Sequence, residues 1–291
     1  MKQIKAINTV TFKDRLRGYI KHPFSGFLFL LVSLAALATF AVLIFLVGYI
    51  LSRGIPHLTP QLFERVHTTT NVSMFPAIIN TLSMVGLALI IAGPLGIFSA
   101  IYLVEYAKTG NKLVKVVRLT AETLTGVPSI VYGLFGMLFF VLTLGWGFSM
   151  LAGAFTMSIM ILPLIMRTTE EALMSVPVPY REGSFALGAG KLRTIFRIVL
   201  PSSTPGILAG IILATGRVVG ETAALMFTAG TIAQIPSSVM GSGRTLALHM
   251  FVLANEGHNV NQASATGVVL LIMVILINAF SNFVAKRLKK G

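Results

Sequence analysis

From residue 123 to residue 166 the chain runs for 44 positions without a charged side chain. A membrane-crossing helix needs only about 20 apolar residues, so this stretch is too long for one helix and predicts two. Gly145-Trp146-Gly147 supplies the turn between them, with Trp146 suited to the membrane interface. Four further apolar runs, within 23–52, within 74–104, near 204–230 and near 265–285, bring the expected spans to six. With 55% hydrophobic residues, 11% charged and a mean hydropathy of +0.86, an ordinary soluble domain is excluded, because such domains are nearer 25% charged. The expected fold is all-α, a polytopic membrane protein. Lys21 ahead of an apolar run and Ala36-Leu37-Ala38 faintly suggest a cleaved signal. The run continues to Leu51, however, which reads as a retained first span.

The net charge of +14 invites a nucleic-acid reading, but the placement of the basic residues gives another. Lys2, Lys5, Lys13, Arg15, Arg17 and Lys21 precede the first span, and Lys108, Lys112, Lys115 and Arg118 follow the second. Arg167, Arg181, Lys191, Arg193 and Arg197 follow the fourth, and Lys286, Arg287, Lys289 and Lys290 follow the last. These nineteen lie on one side; only Arg53, Arg65 and Arg244 lie on the other. Such a bias puts the nineteen, and both termini, on the cytoplasmic side of the membrane. The charge is topology. No cysteine is present, so disulfides, thiolate metal sites, iron–sulfur clusters and thiol nucleophiles are excluded.

The chain divides into 1–72 (cytoplasmic N-terminus, first span and extracytoplasmic loop), a five-span core at 73–285 and a cytoplasmic tail at 286–291. The polar loop 53–72 sets the first span apart, which suits a peripheral helix. Gly93-Pro94 lies deep in span two, where proline removes a backbone donor and predicts a kink. Pro128 falls near the start of span three, where a missing N–H costs little, and Pro163 predicts a bend near the end of span four.

Between spans four and five, within 168–203, lies a polar segment that hydrocarbon cannot hold. Its residues 182–201 read EGSFALGAGKLRTIFRIVLP. Glu182 can start a short helix, since a carboxylate complements the N-terminal dipole. Gly188 and Gly190 allow the left-handed turns that helix ends require. Leu192, Ile195, Phe196 and Val199 then share one face, and Pro201 ends the second helix before span five. Such an element can present apolar residues to a partner's groove. It also fits an amphipathic helix resting on lipid headgroups.

Span five carries Arg217 and Glu221, four residues apart and the only charges well inside a span. A charge at the bilayer centre costs roughly 2.5–3.5 kcal/mol on insertion scales. An ion pair at ~4 Å with an effective dielectric near 20 offsets roughly 4 kcal/mol. Either a packing salt bridge or an anion path fits: in the second, Arg217 neutralises a passing anion and Glu221 holds the arginine and keeps binding weak. Gly206 and Gly210, with Gly216 and Gly220 on a neighbouring stripe, allow close helix approach, within this chain or to a second subunit.

The spacing Glu182, Gly188, Ile198-x-Leu200-Pro201 resembles the cytoplasmic signature loop of ABC importer permeases. The usual two alanines after the glutamate are Gly183 and Ser184 here, both small. With residues 126–136 (GVPSIVYGLFG) and Arg217-x-x-x-Glu221, the likeness narrows to PstA-type phosphate transport permeases over roughly residues 122–230. The resemblance implies a MetI-like permease fold in which Glu182 and Gly188 shape a coupling helix. Leu187, Leu192 and Phe196, with Ile198, Leu200 and Pro201, then make up the ATPase-coupling region. It implies phosphate passage at Arg217 and Glu221, and packing rather than chemistry for the Pro-Ser-Ile stretch. It further implies a heterodimer with a PstC-like permease, a cytoplasmic PstB-like ATPase dimer and an extracytoplasmic PstS-like phosphate-binding protein. ATP and Mg²⁺ are then used by the partner ATPase, and this chain binds no cofactor or metal.

Other classes find less support. The histidines His22, His57, His67, His249 and His258 show no metal spacing and read as isolated, solvated loop residues. Neither His-Glu-x-x-His nor a Walker A loop is present, and Gly241-Ser242-Gly243 lacks a nucleophile-elbow context, so a non-catalytic subunit is expected. A secondary anion transporter would show paired broken helices or related halves. Sulfate or molybdate importers remain open on the residues alone, since one arginine suits any small oxyanion.

Overall fold

The computed structural model describes residues 23–108, 110–257 and 259–288. All six N-terminal basic residues (Lys2 to Lys21), Lys289 and Lys290, with His22 and His258, lie outside them. The chain forms two compact units, divided between Ser52 and Arg53. The first is built on α1 (Pro23–Gly54), which is apolar all round: Phe27, Leu37 and Phe45 are 60%, 66% and 69% exposed. A helix hydrophobic on every side suits a lipid surround.

The second unit takes in segment 53–72, whose Leu62 and Val72 are buried in its cores. Its first long helix, α2 (Phe75–Ile101), continues through a π-helical turn at Tyr102–Tyr106. Next come α3 (Lys112–Thr125) and α4 (Ser129–Gly136), the latter prolonged by a π-helical turn at Met137–Thr143. α5 (Met150–Met174), α6 (Val178–Ala186) and α7 (Lys191–Thr194) follow. Another π-helical turn, Ile195–Val199, joins α7 to α8 (Leu200–Val219). The short α9 (Ala223–Met226), α10 (Leu246–Asn255) and the long α11 (Val260–Leu288) complete it.

Five stretches are long and apolar enough to cross a membrane: Phe24–His57, Phe75–Tyr106, Met150–Met174, Lys191–Val219 and Val260–Phe283. The sixth expected span is a bent pair, α3 and α4 meeting at 103°. The break falls at Gly126-Val127-Pro128 because proline disfavours helical geometry in the residue before it. The turn expected at Gly145-Trp146-Gly147 is present, with both glycines at positive φ, +68° and +63°.

The end of span four and both ends of span five differ from expectation. α5 runs past Pro163 and the charges at Arg167, Glu170 and Glu171 to Met174, supported by the Arg167–Glu171 pair one turn apart. Pro94, the site of the expected kink, lies inside α2 as the sequence placed it. Span five begins at Lys191 and ends at Val219, short of the expected residue 230.

The main core lies where α5 packs between α2 and α8. Met84, Ala88 and Ala92 of α2 meet Met157, Met160, Ile161 and Ile165 of α5 and Ala214 and Val218 of α8. Small residues bring the backbones close: a Cβ at Gly96 would come within 2.8 Å of the Ile165 side chain. In lipid such contact, rather than water exclusion, holds helices together.

Candidate functional site

The loop after α5 is a helix–turn–helix anchored at its base. Pro177 caps α6, and the chain turns at Gly188, whose φ of +81° favours glycine. The Gly188 amide donates to Phe185 O (2.9 Å) and the Ala189 amide to Ser184 O (3.1 Å), closing the helix end. Arg181 is the anchor. It donates to Glu105 Oε1 through Nε (3.0 Å) and Nη2 (2.8 Å), and to the carbonyls of Val176 (2.8 Å) and Leu173 (2.9 Å). Both side chains of the pair are largely buried, so removing one strands the other's charge. Ser184 meets the Thr194 hydroxyl at 2.8 Å, both buried, locking α6 to α7. Lys191 lies 4.8 Å above the Tyr106 ring.

Above this base the apolar residues divide. Ile195 and Val199, expected on the presented face, are buried with Leu103, Val114 and Leu173. Leu187 (90% exposed), Leu192 (63%) and Phe196 (51%) point away. A groove of ≈ 710 Å³ lined by Tyr180, Gly183, Leu187, Arg193, Arg197 and Ile198 opens beside them. Leu200 packs half-buried against the Ile195/Val199 core.

Three local expectations are corrected. Glu182 is exposed in the middle of α6, which starts earlier because Pro177 and Pro179 set its first turn. Gly190 has an ordinary φ of −72° as the cap of α7. Pro201 does not end the helix: the wider turn over Ile195–Val199 accommodates its ring and missing N–H, and Lys191–Val219 is one span. Gly183 faces open space among the described residues, whereas Ser184 does pack.

Arg217 and Glu221 sit at the other end of that span, and they do not share a helical face. α8 stops at Val219, Gly220 caps it, and Glu221 lies beyond. Glu221 is buried one residue ahead of Thr222, the N-cap of α9, and its Oε1 accepts from the Ala224 amide (3.0 Å). The expected ion pair does not form: the helix carrying Arg217 ends at Val219, and Glu221 beyond it turns Oε1 to the Ala224 amide. Arg217 is half-buried and makes no hydrogen bond or ion pair among the described residues. It lies within electrostatic reach of Tyr132, whose hydroxyl donates to Leu124 O (2.7 Å) across the α3–α4 corner.

The glycines of α8 also divide. A Cβ at Gly206 would come 2.6 Å from Ala172, and one at Gly210 would come 2.0 Å from Thr168 Oγ1, so these pack within the chain. Gly216 meets nothing within 4 Å and Gly220 only its own helix's carbonyl, leaving the helix beside Arg217 open. In α4, a Cβ at Gly133 would come 2.8 Å from Ala224 Cα and one at Gly136 would run into the Thr156 hydroxyl, a packing use of that glycine-containing stretch.

One cluster escaped sequence reasoning. His249 is fully buried in α10 and its ring stands edge-on to His67, centroids 5.6 Å apart. His67 Nδ1 donates to Ser73 O (2.9 Å), which leaves Nε2 to accept from Arg244 Nη2 (3.3 Å). His67 and His249 are therefore not the isolated, solvated residues expected. Burial first, then the charges of Arg244 and His67, push the His249 pKa down to about 3. Burial lowers Arg244 to about 10, with Glu256 opposing. Val72, beside this cluster, holds a φ of +47°, strained for a β-branched residue. The only hint in the sequence is Arg244 as the lone basic residue in an otherwise uncharged run from 222 to 255. No spacing joins it to residues 67 and 249. Among the described residues, no group of three or more His, Cys, Asp or Glu could hold a metal.

Residues 92–291 match the family model of the binding-protein-dependent transport system inner membrane component. A Bacillus subtilis probable ABC transporter permease protein, YqgI, is 33% identical over 273 residues, 86% of this chain and 91% of the relative. The Mycobacterium tuberculosis phosphate transport system permease protein PstA 1 is 39% identical over 223 residues, 75% and 72% of the two chains. Among solved structures, a bacterial alginate ABC transporter covers 97% of this chain and 99% of its own, at 18% identity and a TM-score of 0.65. The MetNI methionine ABC transporter covers 74% and 94%, at 19% identity and a TM-score of 0.57. These last two likenesses bear on the fold.

Proposed function

This chain belongs to the binding-protein-dependent transport system inner membrane components, and from that premise we propose that it is the permease subunit of an ATP-driven importer of inorganic phosphate. Relatives carrying the phosphate transport name, 34–39% identical, support the choice of substrate. The chain contributes one half of the path, a PstC-like permease the other. A PstB-like ATPase dimer docks on α6, and a PstS-like binding protein delivers phosphate from outside. The nineteen-to-three distribution of basic residues supports a cytoplasmic position for the docking loop and the termini.

The observation that carries the reading is Arg217. An arginine without a carboxylate partner is costly in a membrane span, and a passing anion would supply the missing charge. Glu221, tied to the Ala224 amide and fixed four residues away, repels the same anion and keeps its residence short. Leu192 and Phe196 at the other end of the same helix, with Leu187 at the end of α6, are exposed for the ATPase. Closure of the ATPases on ATP moves α6, and the Ser184–Thr194 lock carries that motion into span five.

The test is uptake of labelled phosphate and sulfate into vesicles holding the complete complex. Phosphate uptake that requires ATP, and is lost in Arg217→Gln without loss of assembly, is expected. Uptake driven by an ion gradient without ATP would overturn the reading in favour of a secondary transporter.

A further inference from the structure

We propose that the cleft between the end of span two and α3 binds the headgroup phosphate of an anionic phospholipid. The cleft holds ≈ 440 Å³, and its polar wall is cationic: Lys108, Lys115 and Arg118 line it and no carboxylate does. Arg118 is tied to Glu170, but Lys108 and Lys115 make no ion pair among the described residues. Leu103 and Val114 form an apolar floor, each only 6% exposed. A phosphate flanked by acyl chains matches such a lining better than a free, fully hydrated anion does.

The helix beside the cleft supports the lipid as the source. α3 exposes Leu113 (63%), Val116 (61%) and Leu119 (62%) at three-residue spacing, on a face left open among the described residues. Lys112 and Lys115 are exposed on the same helix. A helix of this pattern lies in the membrane interface with its apolar face among acyl chains and its lysines at anionic headgroups. Clefts with basic walls between helices at the cytoplasmic face bind lipid phosphates in the same way. The Asn111 side chain caps the helix by accepting from the Leu113 amide (2.9 Å), leaving Lys108 and Lys115 free to turn toward the ligand. The inference uses the cytoplasmic placement of this face but not the transported substrate.

The experiment reconstitutes the full chain, alone and in its complex, into nanodiscs of equal phosphatidylglycerol and phosphatidylcholine, and counts retained lipids by native mass spectrometry. The wild-type chain retains phosphatidylglycerol preferentially. Each lysine near an anionic surface is worth roughly fivefold in partition, so Lys108→Gln with Lys115→Gln lowers that preference about 25-fold. Lys108→Arg with Lys115→Arg retains it. Equal retention of the two lipids, or a glutamine pair that binds like wild type, overturns the proposal. Release by millimolar inorganic phosphate assigns the cleft to the free anion and overturns the lipid assignment. Preference seen in the lone chain but lost in the complex shows that the partner permease covers this face and overturns it as well. Each of these outcomes is separate from phosphate uptake, so failure here leaves the importer reading to its own test.

Discussion

Acid should loosen the Arg244–His67–His249 junction by an amount that one residue decides. In the unfolded chain a histidine takes up its proton near pH 6.5, whereas in the fold His249 stays neutral until about pH 3. Between those values the unfolded state binds more protons, so stability falls with acidification in that window and is level above it. At about 1.4 kcal/mol per pH unit, the loss reaches roughly 2 kcal/mol at pH 5 and about 5 kcal/mol near pH 3. For a protein of this size about 2 kcal/mol corresponds to roughly 4–8 °C in melting temperature. Replacing His249 with phenylalanine keeps a flat ring in the buried site and removes the titration; His249→Leu serves if the bulkier ring is not accommodated. The assay is thermal unfolding in detergent followed by Trp146 fluorescence at pH 7.5 and pH 5. The acid-induced drop should be smaller in both variants than in wild type by the stated margin. Equal drops in all three would refute a neutral buried His249.

Other outcomes follow from the same geometry. Arg181→Gln leaves Glu105 charged and largely buried, and should cost about 3–5 kcal/mol, read as early melting and loss of ATPase binding. Gly210→Val drives a side chain into Thr168 and should cost about 1–3 kcal/mol, while Gly216→Val, facing open space, should assemble normally, as size-exclusion profiles would report. Leu187→Asp and Phe196→Asp should leave folding intact, since both residues are exposed, yet abolish co-purification with the ATPase.

Much of this molecule was legible before its structure. Charge-free length gave the spans, and glycine at position 188 marked a turn that only a left-handed residue makes easily. The loop was recognisable because its residues are neighbours in sequence. What stayed hidden depended on competition between local interactions. Glu221 looked like a partner for Arg217, but the Ala224 amide is three residues on and the helix had already ended at Gly220. Pro201 looked like a terminator until a π-helical turn absorbed it. Arg244 and its two histidines are brought together from 177 and 5 residues away, a distance no periodicity records.

The unbroken run from Lys191 to Val219 has a mechanical consequence. Its 29 residues make a rod about 43 Å long, footed on the docking element and tipped by a guanidinium. A joint at Pro201 would have let the foot swing while the tip stood still. On the proposed docking, a tilt of a few degrees at the foot of this continuous helix would sweep its tip by ångströms, tying the stroke of the motor to the position of the cation.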